Sequence, residues 1–355
     1  LTGRFPDRHG LRVFSGRGGY RLAEDVPTLA TLLRENGYTT LAVHSAFPVS
    51  ATFGFARGFD VFESFDGEFL DDIATSGERE RVAQDYQRRS DETVDLAIDR
   101  LRSVEGPCFL WVHLFDAHDV RLRPPEDFSS DEADRAPEGS ARQRNALYPV
   151  EIRFQDRELG RLLAALEART TRRPALIALT ADHGEGLADG SKLHGWSRHG
   201  VLYEEQLHVP LIVKAQALAP GQRVSSPVRS IDLLPTLLEL AGLPLPPGLD
   251  GVSLVAAMHG QGSARWNFAE QLHGYEEPRP SILRSRPLDA FLYCVSDGDW
   301  KLIYRPAQPA HSELYHLARD PREEHDLYSQ APEQARRLLI ALSQRAPWVD
   351  RPFEA

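Results

Sequence analysis

Apolar residues recur along this chain with two alternating periods. In residues 26 to 44, VPTLATLLRENGYTTLAVH, Leu29, Leu32 and Leu33 share a helical face, Gly37 stops the helix, and a short strand ends near His44. The unit repeats downstream. Ser90 is followed at helical spacing by Thr93, Val94, Leu96, Ala97 and Leu101, and Gly106-Pro107 then break the chain before the strand CFLWVHLF. A third unit places a helix over about 149 to 167, with Ile152, Leu159, Leu162, Leu163 and Leu166 as its buried stripe, and a strand at 175 to 180. Helix alternating with strand in this way predicts an α/β fold, a mostly parallel sheet flanked by helices.

Between the second and third units, residues 121 to 146 are rich in Pro, Ser and mixed charge with no period, which predicts a long surface loop or a lid. Residues 231 to 242, IDLLPTLLELAG, predict a helix ended by Gly242, and PLPPGLDG then marks a boundary. Beyond it the character changes. Strand-like pieces at 289 to 296 and 299 to 304, joined by Ser296-Asp297-Gly298, predict an antiparallel hairpin, and 332 to 345 an amphipathic closing helix. The expected organisation is a large α/β domain over 1–260 and a smaller C-terminal subdomain over 261–355, with a short antiparallel sheet and a helix.

At 355 residues the chain can bury a sizeable core, and its longest apolar runs fall short of the roughly 18 to 20 residues that cross a bilayer. A formal charge of -11 opposes nonspecific attraction to nucleic acid or anionic lipid, so neither is an expected partner, and an anionic substrate would need a local cluster of cations or a metal. Cys108 and Cys294 are too few for a disulfide framework; each sits in an apolar run and reads as a buried, inert thiol. The chain opens at Leu1 with no initiator Met or signal peptide, so it reads as processed, trimmed or fragmentary, and its compartment is open.

The chemistry concentrates at strand ends. In LIALTADHGEGL an apolar strand runs into Asp182, His183 and Gly184, and in open α/β sheets ligands bind at the carboxyl ends of strands. Asp182 offers a hard anionic oxygen and His183 an imidazole, and both can face one cation if Gly184 lets the backbone turn. At the end of WVHLFDAHDV, His113 reads as a hydrogen-bonded core residue, whereas His118, beyond the strand, is the better ligand or proton donor. The loop after Asp182 adds His194 and His199, each followed by Gly, where backbone can approach a ligand closely. Hydrolysis of a sulfate or phosphate ester needs an in-line nucleophile, a cation for the nonbridging oxygens and an acid for the departing alkoxide. Candidates for the last two are present; no Gly-x-Ser-x-Gly elbow or P-loop supplies the first.

Taken together, ALTADHGEGL, HGVLYEEQLHVPLIVK, PVRSIDLLPTLLELAGLPLP with DGVSL, and GDWKLIYRP with ELYHLARDPREEHDL closely resemble the sulfatase family of the alkaline phosphatase superfamily. LTGRFPDRHG, GYTTLAVHSAF, GFARGFDVFESF and FLWVHLFDAHD extend the resemblance over nearly the whole chain. The resemblance implies a hydrolase of sulfuric esters, on a small molecule or a saccharide, with a divalent metal that in sulfatases is usually calcium. It assigns Asp182 and His183 to the metal, His118 to the sulfate and His199 to the leaving-group side, the last two as catalytic residues, and His194 to substrate binding. Asp182, His183, His118 and His199 are expected to converge on one cleft.

The family nucleophile, a formylglycine made within Cys/Ser-x-Pro-x-Arg, and an Asp pair completing the metal site are expected upstream of Leu1. The chain as given is therefore expected to be inactive, a truncated record of an active enzyme rather than a natural loss. Neither Cys108-Phe109-Leu110 nor Cys294-Val295-Ser296 carries the Pro and Arg of the modification signal. Two departures weaken assignment to simple aryl sulfates: His44-Ser45-Ala46-Phe47 replaces the usual Lys-Trp-His, and His208 stands where Arg commonly precedes Val-Pro. The alternatives are a phosphatase, phosphodiesterase or phosphoethanolamine-type transferase of the same superfamily, and a noncatalytic anion-binding relative.

Overall fold

The computed structural model describes residues 1–14, 16, 19–65, 86–118, 122–128, 130–169, 175–187, 200–262, 265–276 and 280–349. The chain groups into two compact units, Leu1–Leu11 with Tyr20–Leu176, and Arg12–Gly19 with Ile177–Ala355. The units divide at a different place from the domains expected from sequence. Residues 177–260 group with the C-terminal sheet, to which ion pairs and hydrogen bonds tie the segment from Gly200 to Leu207.

The first unit is built on a three-stranded parallel sheet of order β2-β1-β3, with β1 Thr39–His44, β2 Val61–Glu63 and β3 Cys108–His113. Helix α1, Leu29–Glu35, leads into β1, and its N-terminus is capped by the Thr28 hydroxyl, which accepts the Thr31 N–H. Helix α2, Ser90–Arg102, leads into β3 and lays Val94, Ala97 and Ile98 against Val43 of β1. The other face of the sheet is aromatic. Phe109 and Trp111 of β3 stack on Phe59, and Phe55 stacks on Trp111. The register Ala42↔Trp111 and His44↔His113 places the two histidines side by side at the carboxyl end of that face, since paired residues of a parallel sheet share a face.

Two expectations for this unit are corrected. The stretch expected to be a loop carries a 3-10 turn at Glu126–Phe128 and a short helix α3, Asp131–Arg135; Ser130 caps α3 by accepting the Ala133 N–H, and Asp131 and Glu132 sit favourably in its first turn. Helix α4 then spans Ala141–Arg169, 29 residues, starting well before Pro149. Its buried face runs through Leu147, Val150, Glu151, Phe154, Glu158 and Leu162, and Ile152, expected inside, is exposed. Two acids on the buried face displaced the apolar stripe from its apparent position; one of them, Glu158, is satisfied by Arg157 and Arg161.

In the second unit β4 Ile177–Thr180 pairs with β5 Leu211–Lys214 in antiparallel register, Ala178↔Val213, so these two strands depart from the parallel pattern. Short helix α5, Glu204–Leu207, precedes β5, and α6, Leu233–Leu240, follows it, with Gly242 at positive φ just past its end as expected. A four-stranded antiparallel sheet of order β6-β7-β8-β9 comes next: Asn267–Gln271, Leu292–Ser296, Trp300–Tyr304 and Glu313–His316. The hairpin of β7 and β8 closes where the sequence placed it. The Asp297 carboxylate accepts the N–H groups of Asp299 and Trp300 there, and Gly298 takes φ +98°. One face of this sheet packs Val295, Leu302 and Leu314 on Leu338 and Leu342 of the closing helix α7, Pro332–Arg345. The opposite face packs Leu292, Cys294, Ile303 and Tyr315 on Val201, Leu202 and Tyr203.

Candidate active site

At the carboxyl end of β4 the chain leaves the sheet and turns through Asp182, His183 and Gly184. The Asp182 carboxylate accepts the backbone N–H of His183 at 3.0 Å, and the Nδ1–H of His183 donates to the Gly184 carbonyl at 2.8 Å. A proton committed on Nδ1 puts the ring's lone pair on Nε2, the arrangement in which backbone carbonyls commonly orient ligating imidazoles. Nε2 stands 3.7 Å from Asp182 Oδ2. Neighbouring ligands on an octahedral ion with bonds of about 2.1 to 2.4 Å are roughly 3.0 to 3.4 Å apart, so the pair needs only a slight closing to hold one ion. The Asp182 side chain is 70% exposed and that of His183 32% exposed, open enough to accept it. These residues fit a divalent metal as two of its ligands. An oxygen donor suits calcium, and the imidazole equally admits manganese or zinc.

Gly184 does not take a positive φ; what it supplies is space. A Cβ there would lie 2.2 Å from the Glu205 carbonyl oxygen, and the Gly184 N–H donates to the Gln206 carbonyl at 2.8 Å. The Asp-His turn is therefore braced by helix α5. That helix is itself held by buried charge. Lys301 of β8 has no exposed side-chain surface and pairs with Glu204 at 2.9 Å and with Glu323 at 2.8 Å, while Glu323 accepts the Glu204 N–H. Cys294 packs in the same core. Burial pushes its thiol up to about 12, which makes it the inert residue expected; burial also raises Cys108, though that thiol is only half-buried. Near α5 a polar cavity of about 340 Å³ is lined by Tyr203, Arg286, Glu313 and Tyr315 among others, and neither Asp182 nor His183 reaches it.

In the first unit, His118 closes a 3-10 turn, Asp116–His118, at the end of β3, and its ring stacks on Phe115 with centroids 4.4 Å apart. Asp116 was not singled out in the sequence, yet it anchors the turn. Fully buried, its carboxylate accepts the backbone N–H and the hydroxyl of Ser90 at the N-terminus of α2, where a negative charge is favoured. Burial nevertheless raises its pKa, the donated hydrogen bonds opposing that shift. Next to this turn the Ser45 hydroxyl donates to the His113 carbonyl at 2.7 Å. His44 is fully buried; its Nδ1–H donates to the Ala46 carbonyl, and its Nε2 has no hydrogen-bond partner among the described residues. Burial brings its pKa down to about 4, so at neutral pH it is uncharged and supplies no cation.

The structure thus brings Asp182 and His183 together in the second unit and places His118 in the first, each described within its own unit. His194 and His199 lie outside the described residues. One further string escaped the sequence reading: Ser225-Ser226-Pro227-Val228-Arg229 has the spacing of the formylglycine signal. Its Arg229 is committed to the buried Asp232, at 2.9 Å from Oδ1, at the start of the turn that leads into α6, which is a structural use of the residue.

The sulfatase family model matches residues 1–243, and that of the N-sulphoglucosamine sulphohydrolase C-terminal region matches residues 192–345. Arylsulfatase K of Xenopus laevis is 27% identical over 202 residues, 57% of this chain and 37% of that protein. An N-acetylglucosamine-6-O-sulfatase of Bacteroides thetaiotaomicron is 30% identical over 187 residues, 52% of this chain and 32% of that protein. The matched part thus spans about a third of these relatives' length. Among solved structures, a protein in complex with its substrate D-glucosamine-2-N,6-O-disulfate superposes with TM-score 0.71 at 18% identity, covering 100% of this chain and 88% of that one. The phosphonate monoester hydrolase of Agrobacterium radiobacter superposes with TM-score 0.69 at 21% identity, covering 98% and 84%. With the α/β architecture, the parallel sheet and the C-terminal antiparallel sheet capped by a helix all in place, this chain belongs to the sulfatase family.

Proposed function

We propose that the full-length protein is a sulfuric ester hydrolase acting on a sulfated saccharide, with a divalent metal, calcium by resemblance, held in part by Asp182 and His183. The observation that carries this reading is the Asp182–His183 turn, in which a carboxylate and an imidazole with its lone pair on Nε2 lie 3.7 Å apart at a strand's carboxyl end. A bound metal would neutralise charge on the nonbridging oxygens of the ester. His118 is assigned to the sulfate oxygens, and the Asp116 carboxylate fixes the turn that presents it. His199 is assigned to the leaving-group side, where a protonated imidazole delivers its proton to the departing alkoxide oxygen, and His194 to substrate binding. Formylglycine is assigned as the nucleophile. The saccharide assignment draws on the N-acetylglucosamine sulfatase and the disulfated glucosamine complex among the relatives.

A second reading, hydrolysis of a phosphate diester or phosphonate, is favoured by the nitrogen donor of His183 and by the phosphonate monoester hydrolase among the fold neighbours. The deciding experiment measures turnover of glucosamine 6-sulfate, 4-nitrophenyl sulfate, a bis-aryl phosphate and an aryl phosphonate by the full-length protein, with metal content determined in parallel. Preference for the sulfates with calcium present supports the first reading. Preference for the phosphorus esters with manganese or zinc supports the second. Tight binding of inorganic sulfate without turnover of any ester indicates an anion-binding relative.

A further inference from the structure

We infer that His273 is a positioning residue for the candidate metal site, acting on the Asp182–His183 turn through the backbone of residues 200–207; the inference rests on the assignment of Asp182 and His183 made above. His273 follows β6 and is 7% exposed. Its Nε2 lies 2.9 Å from the Gly200 carbonyl oxygen, which can only accept, so Nε2 carries the proton. On the other edge Nδ1 lies 3.1 Å from the Gln271 side-chain nitrogen and 3.1 Å from Glu276 Oε2, so both groups hold the ring there. The imidazole is thus held from one edge and donates from the other.

Gly200 is shaped to receive it. Its φ of +108° is one that L residues rarely adopt, and a Cβ there would stand 3.1 Å from Nε2 and 3.4 Å from Cε1 of His273. From Gly200 the chain runs through the buried residues Val201, Leu202 and Tyr203 into α5. Gln206 joins the two ends of this segment to the site: its side-chain oxygen accepts the Val201 N–H at 3.0 Å, and its carbonyl accepts the Gly184 N–H at 2.8 Å. A continuous set of hydrogen bonds therefore runs from His273 to the residue beside His183. Removing the imidazole leaves the part-buried Gly200 carbonyl without this donor at the start of that set, a cost that moving the backbone toward another donor relieves. Any such movement is passed through the Gln206 carbonyl to the Gly184 N–H, which donates to it at 2.8 Å.

The test compares His273→Leu and His273→Gln with wild type in the full-length protein. Leu fills the space without a donor, and the Gln amide reaches about as far as Nε2 and donates as it does. Three readouts are taken: deuterium exchange at the amides of residues 182–187 and 200–207, affinity for Ca2+ and Mn2+ by titration calorimetry, and the kcat and KM for 4-nitrophenyl sulfate. His273→Leu is expected to raise exchange at Gly184, to weaken metal binding by about tenfold, the size of outer-sphere effects on metal sites, and to lower kcat with little change in KM. His273→Gln is expected to restore all three. Equal exchange at Gly184 in all three proteins, or equal losses in Leu and Gln variants that follow their melting temperatures, overturns the inference. Absence of sulfate turnover by wild type bears on the proposed function alone, because the exchange readout decides the role of His273 without it.

Discussion

His44 makes the stability of the protein depend on pH with a sign and size that follow from its burial. The ring is fully buried at the end of β1, with aromatic neighbours Phe62 and Phe65 at centroid distances of 5.0 and 5.3 Å, and its pKa falls from 6.5 to about 4. The unfolded chain takes up a proton near pH 6.5, whereas the folded protein refuses it until pH 4. Between those values the unfolded state binds more protons, so stability falls as pH falls, by about 1.4 kcal/mol per pH unit, and is restored as pH rises. Over the whole interval the shift corresponds to about 3 kcal/mol. The perturbation is His44→Asn, whose amide retains a donor close to Nδ1 and does not titrate. Unfolding is followed by urea titration from pH 4.5 to 7.5 for both proteins. The stability difference, wild type minus variant, is expected to grow by about 2 to 3 kcal/mol from pH 4.5 to 6.5 and then level off. Parallel pH profiles for the two proteins would refute the assignment of a neutral, desolvated imidazole at this position.

Removal of the Lys301 ammonium leaves Glu204 and Glu323 facing each other in a buried site, so Lys301→Ala is expected to cost about 3 to 5 kcal/mol, read as a fall in melting temperature on the order of 10 °C; Lys301→Ala with Glu323→Gln is expected to recover part of it. In Gly184→Ala the new Cβ must move about 1 Å or more to clear the Glu205 carbonyl, a displacement that commonly costs on the order of 100-fold in rate. Metal affinity by calorimetry and turnover of 4-nitrophenyl sulfate are both expected to fall, with circular dichroism unchanged.

The alternation of helices and strands was legible because it is written locally. Leu29, Leu32 and Leu33 before Gly37, and the break at Gly106-Pro107, mark α1, α2 and their strands within short windows. The periodic reading failed where polar residues occupy the core. Glu151 and Glu158 on the buried face of α4 drew the apparent stripe toward Ile152, and Pro149 suggested a helix start eight residues late. The antiparallel pairing of β4 with β5 was equally unreadable, since strand direction is set by partners chosen in three dimensions. Among the candidate residues, Asp182, His183 and His118 stood out as polar residues just past apolar strands. Asp116, His273 and Lys301 did not. The partners that reveal their roles, Ser90, Gly200 and Glu204, lie 26, 73 and 97 residues away along the chain. Short motifs also misled in one place: Ser225 to Arg229 matches the formylglycine spacing, yet Arg229 serves Asp232.

The assignment of Asp182 as a metal ligand in a sulfate ester hydrolase is tested most directly by sulfate release from glucosamine 6-sulfate by the full-length protein, with and without a chelator, beside its Asp182→Ala variant. Turnover that the chelator abolishes and added calcium restores is expected, with a loss on the order of 100-fold or more in the variant. Chelator-insensitive turnover that survives Asp182→Ala, or no release of sulfate under any metal, would contradict it.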